Sequence, residues 1–291
     1  MKSNLDTTIQ ELLNQKIHEL EQHFDADIFT YFGLITDGNE IPILKIIEQL
    51  ADPKTKKERL YIILTTGGGS AIAVERYVNM VRHHYQEVNF IIPDYAYSAG
   101  TIFCMSGDEI HMDYYSVLGP IDPQVQNKEG KLVAALGYLD KVNELIEKSQ
   151  KNTLSNAEFI ILKDFDLAEL RQYEQAKELT IDLLKKWLVK YKFKNWTTHQ
   201  TTVDILNTVV TQDQKLKRAE EIADALSSHN RWKSHGRPIN IDILKNELNL
   251  KIEDYSNNTL RKGLIRGYYE LLTDYIGSKN QTIFVHTKFN I

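Results

Sequence analysis

Apolar and polar residues alternate along the chain with more than one period, and the changes of period separate three parts. In residues 1–26 the apolar positions recur at helical spacing from Asp6 to Phe24, which predicts an amphipathic helix with Asp6 as its N-cap. In residues 27–135 short, continuously apolar runs alternate with helical stretches. In residues 136–291 the pattern is helical until a last strand-like run near the end.

The middle part predicts an α/β core, because continuously apolar strands that alternate with helices are typical of a parallel sheet covered on both faces. We predict strands at residues 28–35, 60–64, 88–92 and 109–112, with helices at 40–50, 71–84 and 99–106. The last part predicts helices at 138–148, 157–192, 213–227, 241–248 and 259–276 and a strand at 282–289. We interpret it as a helical extension that completes the domain and supplies contacts between subunits.

Composition and charge exclude several classes of protein. The chain has 291 residues, 42% of them hydrophobic, which is enough for a sizeable core. A net charge of −5 is too mild for general polyanion binding, so no nucleic-acid partner is expected. The single cysteine, Cys104, excludes a disulfide framework, and no residues have metal-ligand spacing. Without a bilayer-long apolar run or a signal-peptide pattern, we expect a cytoplasmic protein with no membrane insertion. We also expect no metal and no cofactor.

The first of two strand-to-helix turns with candidate chemistry contains three consecutive glycines, Gly67, Gly68 and Gly69. Glycine permits a positive φ and the close approach of a ligand, and a helix N-terminus favours negative charge. The turn lacks the lysine of a P-loop and does not fit G-x-G-x-x-G. An oxyanion hole uses the same backbone N–H groups on a carbonyl oxygen. The alternative to a phosphate site or an oxyanion hole is a tight turn that binds no ligand.

The second turn carries Ser98, which follows the apolar run 88–93 and opens a helix of small residues. On local sequence alone, a serine at this place is a helix N-cap. Ala96 stands where the G-x-S-x-G nucleophile elbow has its first glycine, so that motif is incomplete. Two such turns in one βαβα unit nevertheless bring a hydroxyl and unhindered N–H groups to the same edge of a sheet, which suits acyl chemistry.

Several segments together resemble a known family: residues 65–70, 97–101, 107–110 with Met112 and Asp113, and 118–124. They are similar to successive blocks of the serine dehydrogenase proteinase family, a branch of the ClpP/crotonase superfamily related to signal peptide peptidase A. Residues 226–232 with Pro238 and Ile239 are similar to that family's distal segment. The resemblance implies a ClpP/crotonase-like spiral βαβ core with additional C-terminal helices, a peptide or protein substrate, and a homo-oligomer.

The resemblance also implies roles for individual residues. Ser98 corresponds to the nucleophile, and Gly68 and Ala99 correspond to the N–H donors of the oxyanion hole, with Gly69 beside them. Asp122 orders the site or binds substrate, or else has only a turn role. ClpP-type peptidases carry a histidine in the stretch that corresponds to residues 119–123, and this chain has none there.

A lysine is therefore the expected general base, as in the signal peptide peptidase branch. Lys141 has about the right separation from Ser98, and the alternatives are Lys148, Lys151 and Lys163. Only a neutral lysine accepts a proton, so a working Lys141 has to be buried, because burial lowers the pKa of a lysine. We interpret the basic stretch 231–237 as a structural turn rather than as an anion site.

These roles predict a serine peptidase in which Ser98 attacks and Lys141 accepts its proton. One alternative is a catalytically inactive crotonase-fold protein that binds or assembles. Another is a crotonase-like enzyme that handles acyl thioesters, for which the same oxyanion geometry serves. A dehydrogenase has no support, because the chain lacks a nucleotide-binding fingerprint.

Overall fold

The computed structural model of the chain describes residues 4–126, 130, 132–200 and 203–290. Its strands form one large sheet and two small ones. Within the described residues the strands are β1 (Asp27–Gly33), β2 (Arg59–Thr65), β3 (Glu87–Ile91), β4 (Tyr95–Ala96), β5 (Glu109–Met112), β6 (Val117–Leu118), β7 (Gln124–Gln126), β8 (Leu132–Ala134), β9 (Ile239–Asn240), β10 (Glu253–Asp254) and β11 (Ile283–His286). The helices are α1 (Asn4–Phe24), α2 (Glu40–Leu50), α3 (Ala71–His84), α4 (Ala99–Met105), α5 (Ala135–Gln150), α6 (Asn156–Lys163), α7 (Leu167–Trp187), α8 (Gln212–Leu226), α9 (His229–Trp232) and α10 (Thr259–Lys279).

The main sheet has six strands in the order β10-β5-β3-β2-β1-β11. Neighbours from β10 to β1 are parallel, and β11 runs antiparallel to β1. Side chains alternate between the faces of a strand, and here both faces are buried. On β2, Leu60 and Ile62 belong to a cluster with α2, α3 and α4, whereas Tyr61 and Ile63 pack with α1 and α10. The predicted α/β architecture with a mainly parallel sheet is confirmed.

The chain after residue 135 is built into the same sheet. β10 and β11 form its two edges, and α10 packs against α1 in an apolar cluster that includes Leu13, Ile17 and Leu272. None of the described helices combines the length and the apolar character that a bilayer span requires.

Several predicted elements differ from the observed ones. Helix α1 begins at Asn4, so Asp6 lies in its first turn instead of capping it. The predicted helix 157–192 is divided, because the Asp166 side chain accepts hydrogen bonds from the N–H groups of Ala168 and Glu169 and starts α7 anew. The predicted helix 241–248 is reduced to a π-helical turn, Ile243–Glu247.

A small sheet in the order β4-β6-β9 was not predicted, because strands of two residues show no period. β4 and β6 are parallel, with Ala96 opposite Leu118. β9 is antiparallel to β6, with Ile239 opposite Leu118. A bridge between Thr66 and Ala96 joins this sheet to the end of β2. The two sheets therefore meet where the glycine turn and the serine turn begin.

Candidate active site

Ser98 occupies a sharp turn between β4 and α4. Its backbone has φ 52° and ψ −116°, a combination that residues with a side chain rarely adopt because of steric crowding. Such strain persists only where the surrounding structure fixes it. A sharp, strained strand-to-helix turn is also how a nucleophile elbow exposes its serine. The turn has this form although Ala96 replaces the first glycine of the motif.

The Ser98 side chain faces a pocket instead of capping a helix. Its hydroxyl makes no capping hydrogen bond to α4, so the N-cap role that the local sequence favours is not adopted. The residue is 8% exposed, and it lines a pocket together with Gly67, Gly69 and Ala99. The serine turn and the glycine turn thus form one wall of the same pocket.

The glycine turn packs directly against the serine turn. The Tyr97 N–H donates to the Thr66 carbonyl (2.9 Å), and the Thr66 N–H donates to the Tyr95 carbonyl (3.1 Å). Gly68 has φ +109°, and a β-carbon on it would lie 2.8 Å from Ser98 Cβ. Glycine is required at this position, because the backbone conformation and the space beside Ser98 both exclude a side chain.

The backbone N–H groups near Ser98 differ in their availability. In the described part of the chain, the N–H groups of Gly69 and Ala99 have no hydrogen-bond acceptor. The Gly68 N–H, in contrast, donates to Thr66 Oγ1 at 3.0 Å. A β-carbon on Gly68 would lie 3.5 Å from the Ala99 nitrogen, so the two turns converge beside Ser98. The N–H groups of Ala99 and Gly69 are therefore free to donate to a ligand. The Gly68 N–H becomes free only when its hydrogen bond to Thr66 Oγ1 breaks.

Thr101 connects α4 to the segment that follows β6. Its hydroxyl lies 2.8 Å from the carbonyl oxygens of both Ala96 and Gly119, and it accepts a hydrogen bond from the Gly119 N–H at 3.1 Å. Gly119 makes room for Tyr97, because a β-carbon on Gly119 would lie 2.2 Å from the Tyr97 ring. These contacts hold the serine turn against the small sheet. Both residues lie in the family-like segments 97–101 and 118–124, but the sequence alone assigned them no role.

The pocket in front of Ser98 has apolar walls from separate parts of the chain. Leu34 and Ile72 line it near the glycine turn, and both keep more than half of their surface exposed, at 55% and 60%. Helix α7 supplies another wall that includes Ala176 and Leu179. The helical extension therefore takes part in the pocket, which its sequence pattern did not indicate.

The structure does not bring the predicted lysine to Ser98. Lys141 is 51% exposed on α5, and its ammonium group pairs with a Glu144 oxygen at 2.9 Å. The alternative lysines are likewise not among the residues that line the pocket: Lys148, Lys151 and Lys163.

The pKa values of Lys148 and Lys192 are both shifted, and neither lysine is suited to act on Ser98. The hydrogen bonds that Lys148 donates to Glu158 and Glu144 raise the pKa of Lys148, which stabilises its charged form. Burial lowers the pKa of Lys192 to about 8. The Nζ of Lys192, however, lies 3.5 Å from the Asp108 carbonyl, beyond the C-terminal end of α4, whereas Ser98 precedes the N-terminal end.

Asp122 shares a small cavity with His235, a residue in the predicted structural turn 231–237. Asp122 is 4% exposed and accepts a hydrogen bond from the Leu136 N–H at 3.2 Å. His235 also lines the pocket of Ser98. Burial lowers the pKa of His235, and the negative charge of Asp122 acts in the opposite direction. Sequence reasoning missed His235, because its place depends on the pairing of β9 with β6.

Comparisons with known proteins identify the relatives of this chain. The profile of a family described as ClpP-like SDH-type serine proteinases matches residues 15–205. Two proteins of Methanocaldococcus jannaschii, the uncharacterized proteins MJ1495 and MJ0137, are 30% identical over 232 residues and 33% identical over 172 residues. These alignments cover 79% and 55% of this chain but 62% and 56% of the relatives, so the chain spans about three fifths of the length of the curated relatives it matches.

A solved structure aligns with the chain as well. It is a mutant of 1510-N, a membrane-bound stomatin-specific protease. The alignment has a TM-score of 0.32 and 18% sequence identity, and it covers 57% of this chain and 74% of the other.

Proposed function

Because the chain belongs to the family of ClpP-like SDH-type serine proteinases, we propose that it is a serine peptidase whose nucleophile is Ser98. The observation that carries this proposal is the backbone of Ser98, which has a positive φ at a strand-to-helix turn while its hydroxyl caps no helix. Strain of this kind costs on the order of 1–3 kcal/mol, and it is typical of residues whose function requires it.

In the proposed first step, Ser98 Oγ bonds to the carbonyl carbon of a peptide, and the carbonyl oxygen becomes negatively charged. The free N–H groups of Ala99 and Gly69 support a role as donors to this oxyanion, and Gly68 joins them if it releases Thr66. Ala99 also begins α4, and the N-terminus of a helix stabilises negative charge.

The hydroxyl of Ser98 needs a general base to take its proton. Lys141 is the base that the sequence predicts. To act as one, it has to leave Glu144 and turn from the solvent side of α5 toward the pocket. Lys141→Ala is the direct test, since loss of Ser98 reactivity in the folded variant would support a lysine base and unchanged reactivity would exclude Lys141.

The pocket supports a peptide or protein substrate with apolar side chains near the cleaved bond. Leu34 and Ile72 are exposed there, and covering them with an apolar side chain contributes about 25 cal/mol per Å² of buried surface. We also propose that the protein works as a homo-oligomer. The exposed apolar side chains of α6 support this part of the proposal.

Labelling with a fluorophosphonate probe tests the proposed function. We expect mass spectrometry to find the probe on Ser98, and we expect Ser98→Ala to abolish labelling. Ser70→Ala is the matched control, because Ser70 lines the same pocket while its hydroxyl donates to Asp37 Oδ1 at 2.7 Å. A folded wild-type protein that stays unlabelled across the neutral and alkaline range would contradict the proposal and favour a binding or assembly protein.

A further inference from the structure

One carboxyl group and three tyrosine rings form a cluster beside α10, made of Asp94, Tyr95, Tyr97 and Tyr269. All four residues are partly exposed. The Tyr269 hydroxyl donates to Asp94 Oδ2 at 3.3 Å, and the ring centroids of Tyr95 and Tyr97 lie 5.6 Å apart. Burial raises the pKa of each tyrosine, and the negative charge of Asp94 raises it further. The carboxyl group of this Asp94 cluster therefore lies near all three rings.

The Asp94 cluster is separate from the pocket of Ser98. None of its four residues is among the described residues that line that pocket. Tyr269 packs in the apolar cluster of α1 and α10 on one face of the main sheet. Ala99 and Ile102 of the pocket, in contrast, pack with α2 and α3 on the other face. A ligand of the Asp94 cluster thus approaches from the α10 side.

No cation of the described part of the chain balances the charge of Asp94. Burial raises the pKa of Asp94 above its ordinary value of 3.8, and only the hydrogen bond from Tyr269 acts in the opposite direction. Among the described residues, no lysine or arginine lies over the rings of the three tyrosines. A carboxylate that is partly withdrawn from water and has no counter-ion is costly, so the ionised form of Asp94 favours a bound cation.

A neighbouring part of the chain has the same arrangement with a cation in place. Asp113 and Tyr114 repeat the Asp-Tyr dipeptide of residues 94–95. The Nε of Arg266 donates to Asp113 Oδ2 at 3.0 Å, and its guanidinium carbon lies 5.1 Å from the centre of the Tyr114 ring. Arg266 precedes Tyr269 by three residues on α10, so the two arrangements are neighbours on one helix. The protein's own arginine occupies the first, and the Asp94 cluster offers the same groups to a cation from outside.

We propose that the Asp94 cluster binds the positively charged group of an organic cation, a role separate from the proposed peptidase function. Asp94 pairs with the charge, and the tyrosine rings attract it because the face of an aromatic ring is negative. This attraction acts within about 6 Å of a ring centroid, and the Tyr95 and Tyr97 centroids are 5.6 Å apart, so one cation can contact both rings. The Thr65 hydroxyl donates to Tyr269 at 3.3 Å, which orients the tyrosine hydroxyl that holds Asp94.

Two kinds of molecule carry such a group, and they differ in the hydrogen bonds they make. A quaternary ammonium compound has no N–H group and is held by its charge and the rings, whereas the lysine side chain of a peptide also donates N–H groups to the carboxylate. Choline chloride and Nα-acetyl-lysine amide are the two probes. Tighter binding of choline identifies a quaternary ammonium ligand, and tighter binding of the lysine probe identifies a basic peptide. Either result supports the cation site.

Isothermal titration calorimetry of the full chain compares each probe with a neutral ligand of similar shape. The dimethylbutanol in which a carbon atom replaces the nitrogen is the match for choline. Nα-acetyl-norleucine amide, which lacks the ammonium group, is the match for the lysine probe. We expect saturable binding of the preferred cation and at least roughly 10-fold weaker binding of its neutral match. If neither cation binds more tightly than its neutral match, the proposal is wrong.

Two substitutions separate the carboxylate from the rings. Asp94→Asn removes the charge at nearly constant shape, and we expect it to weaken binding of the preferred probe by roughly 10-fold or more. Tyr95→Leu removes a ring but keeps an apolar side chain. We expect it to weaken binding of the probe by roughly 2–30-fold, the range of a cation–π contact, while the neutral match binds as before. Glu270→Gln is the matched control and should bind like the wild type, because Glu270 is an exposed carboxylate next to Tyr269 on α10.

The variants distinguish a cation site from a general effect of charge, provided that circular dichroism shows each to be folded. A loss in Glu270→Gln as large as in Asp94→Asn, or a wild-type affinity in Asp94→Asn, would overturn the proposal. Should Asp94→Asn not fold, Tyr95→Leu decides, because an equal loss for the probe and its neutral match shows an apolar contact and no cation site. Calorimetry involves no reaction at Ser98, so a failure here leaves the peptidase in place, and an unlabelled Ser98 leaves the cation site in place.

Discussion

Because Gly68 has no side chain, the glycine turn packs closely against the serine turn, and a single methyl group on Gly68 tests this arrangement. An alanine β-carbon there would lie 2.8 Å from Ser98 Cβ, at a φ of +109° that alanine disfavours. We expect Gly68→Ala to lower the labelling rate of Ser98 by roughly 10²–10³-fold, the usual effect of losing one oxyanion donor, because the serine or the N–H groups beside it must shift.

Gly38→Ala is the matched control for this change. Gly38 also has a positive φ, +95°, but a β-carbon on it would meet no atom within 4 Å. Gly38→Ala therefore reproduces the backbone strain of Gly68→Ala, roughly 1 kcal/mol or more, without a steric clash with Ser98. If Gly68→Ala is folded and labels as fast as Gly38→Ala, the glycine turn has no part in the mechanism.

Single residues also show how far a sequence predicts a site. The motif blocks identify Ser98, but its φ of 52° depends on contacts between turns that are distant in the chain. Lys141 was predicted from its separation along the chain, which does not determine the side of a helix that faces the site. On α5, Leu139 and Val142 are buried while Lys141 is half exposed. A lysine base at this position stays a prediction.

Thr101 connects α4 to the small sheet, and its hydroxyl can be removed without a change of shape. In Thr101→Val the hydrogen bonds of the hydroxyl to Ala96 and Gly119 are lost, while the Gly119 N–H keeps the Ala96 carbonyl at 3.2 Å as its acceptor. The free energy of unfolding should therefore fall by about 0.5–1.5 kcal/mol for each lost hydrogen bond. The labelling rate of Ser98 should fall as well, because fewer contacts hold the serine turn to Gly119. Urea unfolding measures the first effect, and the probe measures the second.

Thr101→Ser separates the hydroxyl from the rest of the side chain. Serine keeps the oxygen that lies 2.8 Å from the Ala96 and Gly119 carbonyls and loses only a methyl group. We expect it to retain most of the stability and the labelling rate. Equal losses in the serine and valine variants would show that packing, not the hydrogen bonds, holds the two elements together.

Elements with a full period were predictable, and elements without one were not. The predicted helices 40–50 and 71–84 have the bounds of α2 and α3, because each covers several turns with apolar residues on one face. β4, β6 and β9 have two residues each, too few for any pattern. This small sheet brings His235 to the pocket. Because the sequence pattern did not predict the sheet, it did not predict the place of the histidine either.

Across the whole molecule, the predicted extension is part of the sheet and of the pocket. It supplies both edge strands of the main sheet and the wall of the pocket on α7. Its helical pattern predicts helices but not the surfaces against which they pack. One of these helices, α6, has no buried residue, although it contains consecutive apolar side chains.

The exposed side of α6 therefore predicts a contact between subunits. Phe159, Ile160 and Ile161 are 57%, 68% and 53% exposed, and clustered apolar side chains of this kind mark interaction surfaces. We expect a second copy of the chain to cover them, with a dimer as the smallest state. Light scattering at micromolar concentration should then give at least twice the chain mass of 33.7 kDa.

Charges on α6 should separate the subunits, because an interface does not bury unpaired carboxylates without a large cost. We expect the double variant Phe159→Glu with Ile161→Glu to approach the mass of one chain, 33.7 kDa, and to remain folded, since neither residue is buried within the subunit. Leu260→Glu is the control, because Leu260 is 64% exposed on α10. A wild-type protein of single-chain mass would contradict the oligomer, and an oligomer unaffected by the α6 charges would exclude α6 as its contact while leaving the assembly itself in place.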